Sequence, residues 1–358
     1  MFVAAALGAV AAGAASPAVG AAPAATTGAR VNAGSAASPA AGVESRFAPV
    51  PGPYAVEAMN LDWFDRDRNR QVPARVYFPR REPGPFPVVI FSSGLGAARN
   101  NFEFLGRHLA SHGYVSVHVQ HLGGDDQVEQ GGADARGALR RAARDPRAGL
   151  TRLLDVVFAL DQVGALAASS PVLRGRIDLG AVAVGGNNLG AWTALAAAGL
   201  ATVGKDGEES SLPDPRVKAA LLFFPPPAAA QGGRLRFEHV KVPCLHVVGT
   251  PAGDHENDAQ AAARRLAFDR IAGVDEVLVR VAVAAAAGAP AGASTAAGAA
   301  AAASEPDRAK VTPGYLKAIS TAFLDAYLRH DAAAKSWLAG GGLAAYLGAG
   351  ARVETRSK

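Results

Sequence analysis

The strongest chemical signature in the chain is Gly185-Gly186-Asn187-Asn188-Leu189-Gly190-Ala191-Trp192. It follows an apolar stretch, Ala181 to Val184, that reads as a short strand, and it leads into a helix of small residues from Thr193 to Gly199. A strand, a tight Gly-x-x-x-Gly turn and a helix form the device that lifts a serine nucleophile above the end of a sheet. The glycines answer a steric demand, because side chains at Gly186 and Gly190 would collide with the adjoining strand and helix. Here the apex is Asn188. Asparagine tolerates positive φ better than most residues with a Cβ, so the backbone device survives the change. Its amide nitrogen, delocalised into the carbonyl, cannot be activated as a nucleophile by any neighbouring base.

Two polar clusters have metal-ligand residue types without a diagnostic spacing: His118 and His121 with Asp125 and Asp126, and Asp254-His255-Glu256 with Asp258. His118 alternates with Val117 and Val119, as a hydrogen-bonded sheet histidine does. The second cluster precedes a helix expected to begin near Asp258, where acidic residues favour the helix dipole. No metal is expected. A single cysteine, Cys244, excludes internal disulfides and Cys-based zinc sites, and its apolar strand marks an inert core thiol. The glycine pairs 123–124 and 131–132 lack the Lys-Ser/Thr of a phosphate loop, so no nucleotide cofactor is expected.

The elements that must position these residues are legible in the rest of the chain. Its 358 residues, 49% hydrophobic, suffice for one large α/β domain. Thirty-six Lys and Arg against 31 Asp and Glu leave +5, without a basic block, which argues against nucleic acid as a partner. Strands are expected near 87–92, 114–119, 181–184, 218–223, 243–248 and 277–283, with an earlier one over 72–78. Helices intervene, one of them capped by Asn100 or Asn101, and the pattern is that of a mostly parallel sheet covered on both faces. Residues 1–45 carry an apolar run and small-residue sites such as Val19-Gly20-Ala21, which predict a signal peptide and export. The absence of Lys or Arg before Arg30 and the Ala/Gly/Pro/Ser bias fit a disordered tail. Residues 46–358 then form one domain with a low-complexity insertion at 284–305. That Ala/Gly tract is too weakly apolar to span a membrane, and no other segment does.

From about Asp62 to Leu328 the chain resembles α/β-hydrolases of the dienelactone hydrolase and platelet-activating-factor acetylhydrolase type, notably a bacterial branch of serine esterases. Phe91-Ser92-Ser93-Gly94-Leu95-Gly96 is similar to the family's Phe-Ser-His-Gly-Leu-Gly, and Gly186 to Ala191 to its Gly-His-Ser-Phe-Gly-Ala turn. Ala110 to Val115, Val117 to His121, Asp214 to Ala219, Pro243 to Thr250 and Ala322 to Leu328 match further family stretches, the last of them its final helix.

The resemblance implies the α/β-hydrolase fold, and it implies where the catalytic groups should be. The serine position holds Asn188, the histidine beside it Asn187, and the loop histidine Ser93. After the sixth strand stands Phe223-Phe224-Pro225. After the seventh, Ala252 takes the usual acid position and Asp254 lies two residues on as a remnant acid. The loop after the eighth strand has no histidine, and His330 is expected to cap the last helix. These departures predict a protein that has lost serine-hydrolase catalysis while keeping backbone N–H donors at Leu95 and Leu189 for an acyl or lipid-like ligand, or that binds a protein. The alternative is an active ester hydrolase using Ser92 or Ser93 with Asp254-His255. The oligomeric state is not legible in the sequence.

Overall fold

Continuous apolar runs become the central strands, because a parallel strand covered on both faces has no polar side to show. The computed structural model describes residues 46–94, 97–122, 146–204, 206–227, 234–251, 258–283, 313–348 and 351–358. Strand β3 (Phe86–Ser92) is buried at every position and lies between β4 (Val115–Val119) and β5 (Ile177–Asn187), parallel to both. Outward on one side come β2 (Arg70–Pro79) and then β1 (Val56–Asp65), joined as an antiparallel hairpin. On the other side β8 (Val217–Phe223), β10 (Cys244–Pro251) and β11 (Glu276–Val283) continue parallel, and β12 (Ala351–Arg356) closes the edge antiparallel. The sheet order is β1-β2-β4-β3-β5-β8-β10-β11-β12. Short strands β6 (Ala201–Val203), β7 (Glu209–Ser210) and β9 (Arg234–Arg236) make a separate small sheet.

Alternate residues of β3 enter different layers of core, as a period of two requires. Val88 and Ile90 pack with Leu153, Val156 and Leu160 of helix α2 (Pro146–Ser169) and Leu195 of α3 (Leu189–Ala197). Val89 and Phe91 pack with Leu105 and Leu109 of α1 (Glu103–Ser111) and with Ile319 and Phe323 of the long helix Pro313–Leu328. Helix α4 (Asp258–Arg270), that long helix, now α5, and α6 (Ala332–Ala339) and α7 (Gly342–Leu347) complete the described helices. The mixed sheet covered by helices on both faces, with a reversed first pair and a crossover at β3 and β4, is the α/β-hydrolase fold expected from the sequence.

One local detail differs from expectation, and two more extend it. Helix α1 is not capped by an asparagine side chain: Phe102 occupies the N-cap in a left-handed conformation, and the Asn101 side chain accepts the Phe102 N–H instead. His330 stands just past the end of α5 with φ 57°, the left-handed conformation common after a helix C-terminus, while Asp331 caps the start of the next helix, α6, its side chain accepting the Ala334 N–H. Past α5 the fold runs on to β12, pinned to the sheet by Arg356, which pairs with the buried carboxylate of Glu276 at 2.9 Å. His246 bonds the other oxygen of Glu276 at 3.1 Å. The expected leader at 1–45 and the insertion at 284–305 lie outside the described residues.

The tightest approach in the sheet yields a stability test. A Cβ on Gly190 would lie 1.9 Å from the Ser92 carbonyl oxygen, whereas one on Gly185 would meet nothing nearer than 3.3 Å. Gly190→Ala is therefore expected to cost more than about 3 kcal/mol, or to abolish folding, and Gly185→Ala no more than about 1.5 kcal/mol. Urea unfolding of the two variants beside the parent chain measures the contrast.

Candidate functional site

Strand β5 delivers the chain into the turn at Asn188, whose φ of 54° and ψ of −123° lie near the first central position of a type II′ turn, ordinarily glycine's. The sequence explains why the turn closes. A Cβ on Gly186 would fall 2.3 Å from the Gly190 carbonyl oxygen and 2.6 Å from that of Ser92, so only glycine permits turn, helix and β3 to meet. The Asn188 N–H donates to the Phe223 carbonyl at 2.9 Å, tying the apex to the end of β8. Asparagine is among the best helix-capping residues, yet the Asn188 side chain makes no cap bond to α3. Leu189, the expected backbone donor, is the first residue of α3, where an N–H has no partner within the helix.

Across the turn lies the glycine loop. Asn187 Oδ1 accepts the Gly94 N–H at 2.9 Å, and a Cβ on Gly94 would touch Asn188 Cβ at 3.4 Å, so loop and elbow are in contact. Leu95 and Asp254, the expected second donor and remnant acid, lie outside the described residues, as do Ala252 and His255. Phe223 and Phe224 occupy the end of β8 as the sequence predicts, with no carboxylate there. Phe224 has φ 50°, and half-buried Phe102, with φ 60°, stacks near Phe223 at 6.3 Å and beside Phe104 at 5.3 Å. Asn188 and these phenylalanines give the loop side an uncharged frame.

Behind β3 sits a group that sequence reasoning missed. Ser92 Oγ and His121 Nε2 are 2.9 Å apart, and His121 Nδ1 lies 3.0 Å from Asp155 Oδ2 on α2. The ionised carboxylate selects the Nδ1–H tautomer, so the Ser92 hydroxyl donates to Nε2. Arg68 and Arg70 of the β1–β2 hairpin bind the same carboxylate at 2.8 to 2.9 Å, and Arg152 of α2 donates to the Ser93 carbonyl and, at 3.4 Å, to Ser92 Oγ. All three members of the Ser-His-Asp relay are buried, at 1%, 2% and 0% exposure. The signal lay in Arg152 and Asp155, charges on the apolar face of a helix, where only a paired partner is tolerated.

Burial, with the Arg152 charge behind it, pushes the His121 imidazole down to about 4 against the pull of Asp155. Burial works against ionised Asp155, but hydrogen bonds from His121 and Arg70 and their charges hold it at about 2. His118 is a sheet histidine as expected, bonded to the Asn101 carbonyl at 3.0 Å and to Ser116 Oγ at 3.1 Å, and does not join His121. Cys244 is buried and its thiol is pushed well up. Among the described residues no cluster of three metal-ligating side chains forms, and no helix is long and apolar enough to cross a membrane. A cleft lined by Tyr54, Glu82 and Asp178 opens at the far, N-terminal end of β3, away from the elbow.

The fold is that of an α/β-hydrolase-like protein. Residues 66–126 match the family model described as platelet-activating factor acetylhydrolase, isoform II, a span that holds β2, β3, the glycine loop, α1 and β4 but stops short of the elbow. Over 51 residues the chain is 41% identical to the platelet-activating factor acetylhydrolase of Cavia porcellus, a stretch that makes up 14% of this chain and 12% of that relative.

Buried histidines set the acid response. In the unfolded chain His121 takes up its proton near pH 6.5, whereas in the folded state it does so only near 4, so its contribution is lost as pH falls between those values. His108 and His118, depressed to about 3 and about 4, act in the same direction. Stability is expected to fall below pH 6.5 by about 1.4 kcal/mol per pH unit for each of the three, with the Asp155 share lost between about 4 and 2. Urea midpoints from pH 7 to 5 measure the slope, and His121→Gln, which should be less stable at pH 7, should show it reduced by one proton.

Proposed function

We propose that this chain is a non-catalytic α/β-hydrolase-fold protein that binds an acyl or lipid-like carbonyl ligand at the elbow. The observation that carries the reading is Asn188, a residue without nucleophilic chemistry, held at the strained apex where the fold presents its serine. A triad acts as one unit, so with the apex serine gone the surrounding groups contribute at most binding and oxyanion stabilisation. What remains is a set of donors: the first amides of α3, led by Leu189, and the glycine loop locked to the elbow by Asn187. The apolar frame of Phe102, Phe104 and Phe224 suits the rest of an acyl ligand. Export behind residues 1–45, and a single folded unit over 46–358, belong to the same reading.

One observation favours a second reading, an ester hydrolase whose nucleophile is Ser92. Its hydroxyl, the neutral imidazole of His121 and Asp155 have the order, distances and tautomer of a catalytic relay. Against it stand the burial of Ser92 and its position on the side of β3 that faces α2 and α3, with Arg152 beside it. A buried relay of this kind fixes the end of β3, against which Gly190 packs.

Purified protein is expected to hydrolyse short-chain nitrophenyl esters no faster than an Asn188→Ala control. Asn188→Ser should stay near the same background, because general-base help is worth about 10²- to 10⁴-fold and the reading places no base at the apex. Labelling by a fluorophosphonate probe that is lost in Ser92→Ala would establish the second reading in place of the first.

A further inference from the structure

The first strand of the sheet leaves one side of its backbone unused. Among the described residues β1 pairs with β2 alone, in a register that runs unbroken from Val56 opposite Pro79 to Asp65 opposite Arg70. One bond fixes which groups point outward. The Arg80 N–H donates to the Ala55 carbonyl at 2.7 Å, one step beyond Val56 and Pro79 in the same register, so Ala55 and Arg80 form a hydrogen-bonded pair. Such pairs recur at every second residue of an antiparallel ladder. The odd positions of β1 therefore direct their N–H and C=O groups to β2, and Val56, Ala58, Asn60, Asp62 and Phe64 turn theirs away from it. Pro73, opposite Asp62, agrees with this phase, since its carbonyl accepts the Gln120 N–H on the β4 side.

Open edges are normally blunted by proline, lysine, a bulge or shortness. In its ten residues β1 has none of these. The opposite edge, β12, is six residues long and carries Arg352, Glu354 and Arg356. Apolar groups lie on both faces of β1: Phe64 is 49% exposed on one, and Met59, Leu61 and Trp63 are half-buried against the core on the other. Its carboxylates are matched within the chain, Glu57 by Arg80 at 2.9 Å, Asp65 by Arg68 at 2.6 Å and Asp62 by Arg99 at 2.5 Å.

We propose that β1 is a dimer interface, to which a second copy of the chain adds its own β1 antiparallel across a two-fold axis to make one continuous sheet. Hydrogen-bonded pairs must join outward-facing residues, so even positions meet even positions. An axis at Asn60 sets Asn60 against the partner's Asn60, Ala58 against the partner's Asp62 and Val56 against the partner's Phe64. Met59 then meets the partner's Leu61 on the other face. The exposed Phe64 ring gains a β-branched neighbour, a favourable cross-strand pair, and no two carboxylates stand opposite each other. An axis at Leu61 would set Glu57 against the partner's Asp65, and one at Asp62 would set that carboxylate against its own copy. An axis at Met59 would run Trp63 and Phe64 past the start of the partner's strand. The Asn60 register is the one that charge and length allow, and a closed two-fold contact leaves neither β1 edge open.

Sedimentation velocity of the full chain between about 1 and 100 μM reads the association. The parent is expected to be dimeric at the upper end. Asn60→Pro removes an outward N–H and none of the β2 ladder, so it should keep the parent's circular dichroism spectrum while its dimer dissociates at least about tenfold more readily. Val56→Glu and Phe64→Lys should each weaken the dimer about tenfold. Their double variant should recover to within about threefold of the parent, because the register sets these two positions together twice per dimer. A parent chain that stays monomeric at about 100 μM overturns the proposal and leaves the edge to a strand of another protein. A dimer that Asn60→Pro leaves intact overturns it by placing the interface elsewhere. A double variant no tighter than the single ones overturns it by excluding this pairing.

Discussion

The contact between Gly190 and the end of β3 is the constraint on which the rest of the site depends. At that point the turn after β5 passes so close to the Ser92 carbonyl that no Cβ fits at either Gly186 or Gly190. Position and direction of α3 follow from it, and so does the placement of the glycine loop, which can reach the elbow through Gly94 and Asn187 only if β3 ends where it does. The relay behind β3 serves the same contact. Ser92 is held by His121, His121 by Asp155, and Asp155 by two arginines from the first hairpin, so the strand end is braced from α2 and from the far edge of the sheet at once. Ionic groups buried this deeply repay their desolvation only when every partner is present, so the brace acts as a unit.

That dependence explains which parts of the architecture were legible from residue order. Val88 to Phe91 reads as a central strand because a strand between two parallel neighbours is apolar at every position, and Gly186 and Gly190 read as an elbow because the steric demand leaves glycine no substitute. Both are local rules written in adjacent residues. The brace is not local: Arg68 and Arg70 come from the first hairpin, His121 from the end of β4, and Arg152 and Asp155 from α2, and nothing in their spacing shows that they converge. The one available hint is that Asp155 interrupts Leu153, Leu154, Val156 and Val157, a charge within an apolar face of α2. Similarly, β12 carries Arg352, Glu354 and Arg356, and only the buried Glu276 shows what Arg356 pairs with.

The histidines show how burial decides role more than residue type does. His118 and His121 stand three apart near the end of one strand and read as a candidate pair, yet one answers a carbonyl at Asn101 and the other a carboxylate on α2. Burial drives both imidazoles toward the neutral form, which suits them as fixed hydrogen-bonding parts of a sheet. A proton shuttle working at neutral pH needs a value near the operating pH, and a histidine held at about 4 is poorly matched to that task. The same desolvation that makes the brace rigid therefore keeps the His121 imidazole neutral well below neutral pH.

Backbone strain supplies the last link between this architecture and binding. Six non-glycine residues described in the structure have positive φ, and three of them, Phe102, Asn188 and Phe224, gather at the C-terminal end of the central strands. Left-handed backbone at a bulky phenylalanine is costly, of order 1–3 kcal/mol, and persists only where surrounding contacts over-determine it. Phe102 is fixed by its stacking on Phe91 and Phe223, and Phe224 by its N–H bond to the Val247 carbonyl at 2.7 Å. Asparagine at the apex is the cheaper strained residue, because its short polar side chain tolerates φ above zero better than most others with a Cβ. Asparagine at the apex keeps the turn closed without supplying a nucleophile, so the elbow's backbone geometry stands on its glycines and its strain alone. Under the proposed reading, a frame kept under strain, with asparagine at its centre, holds an acyl group without cleaving it.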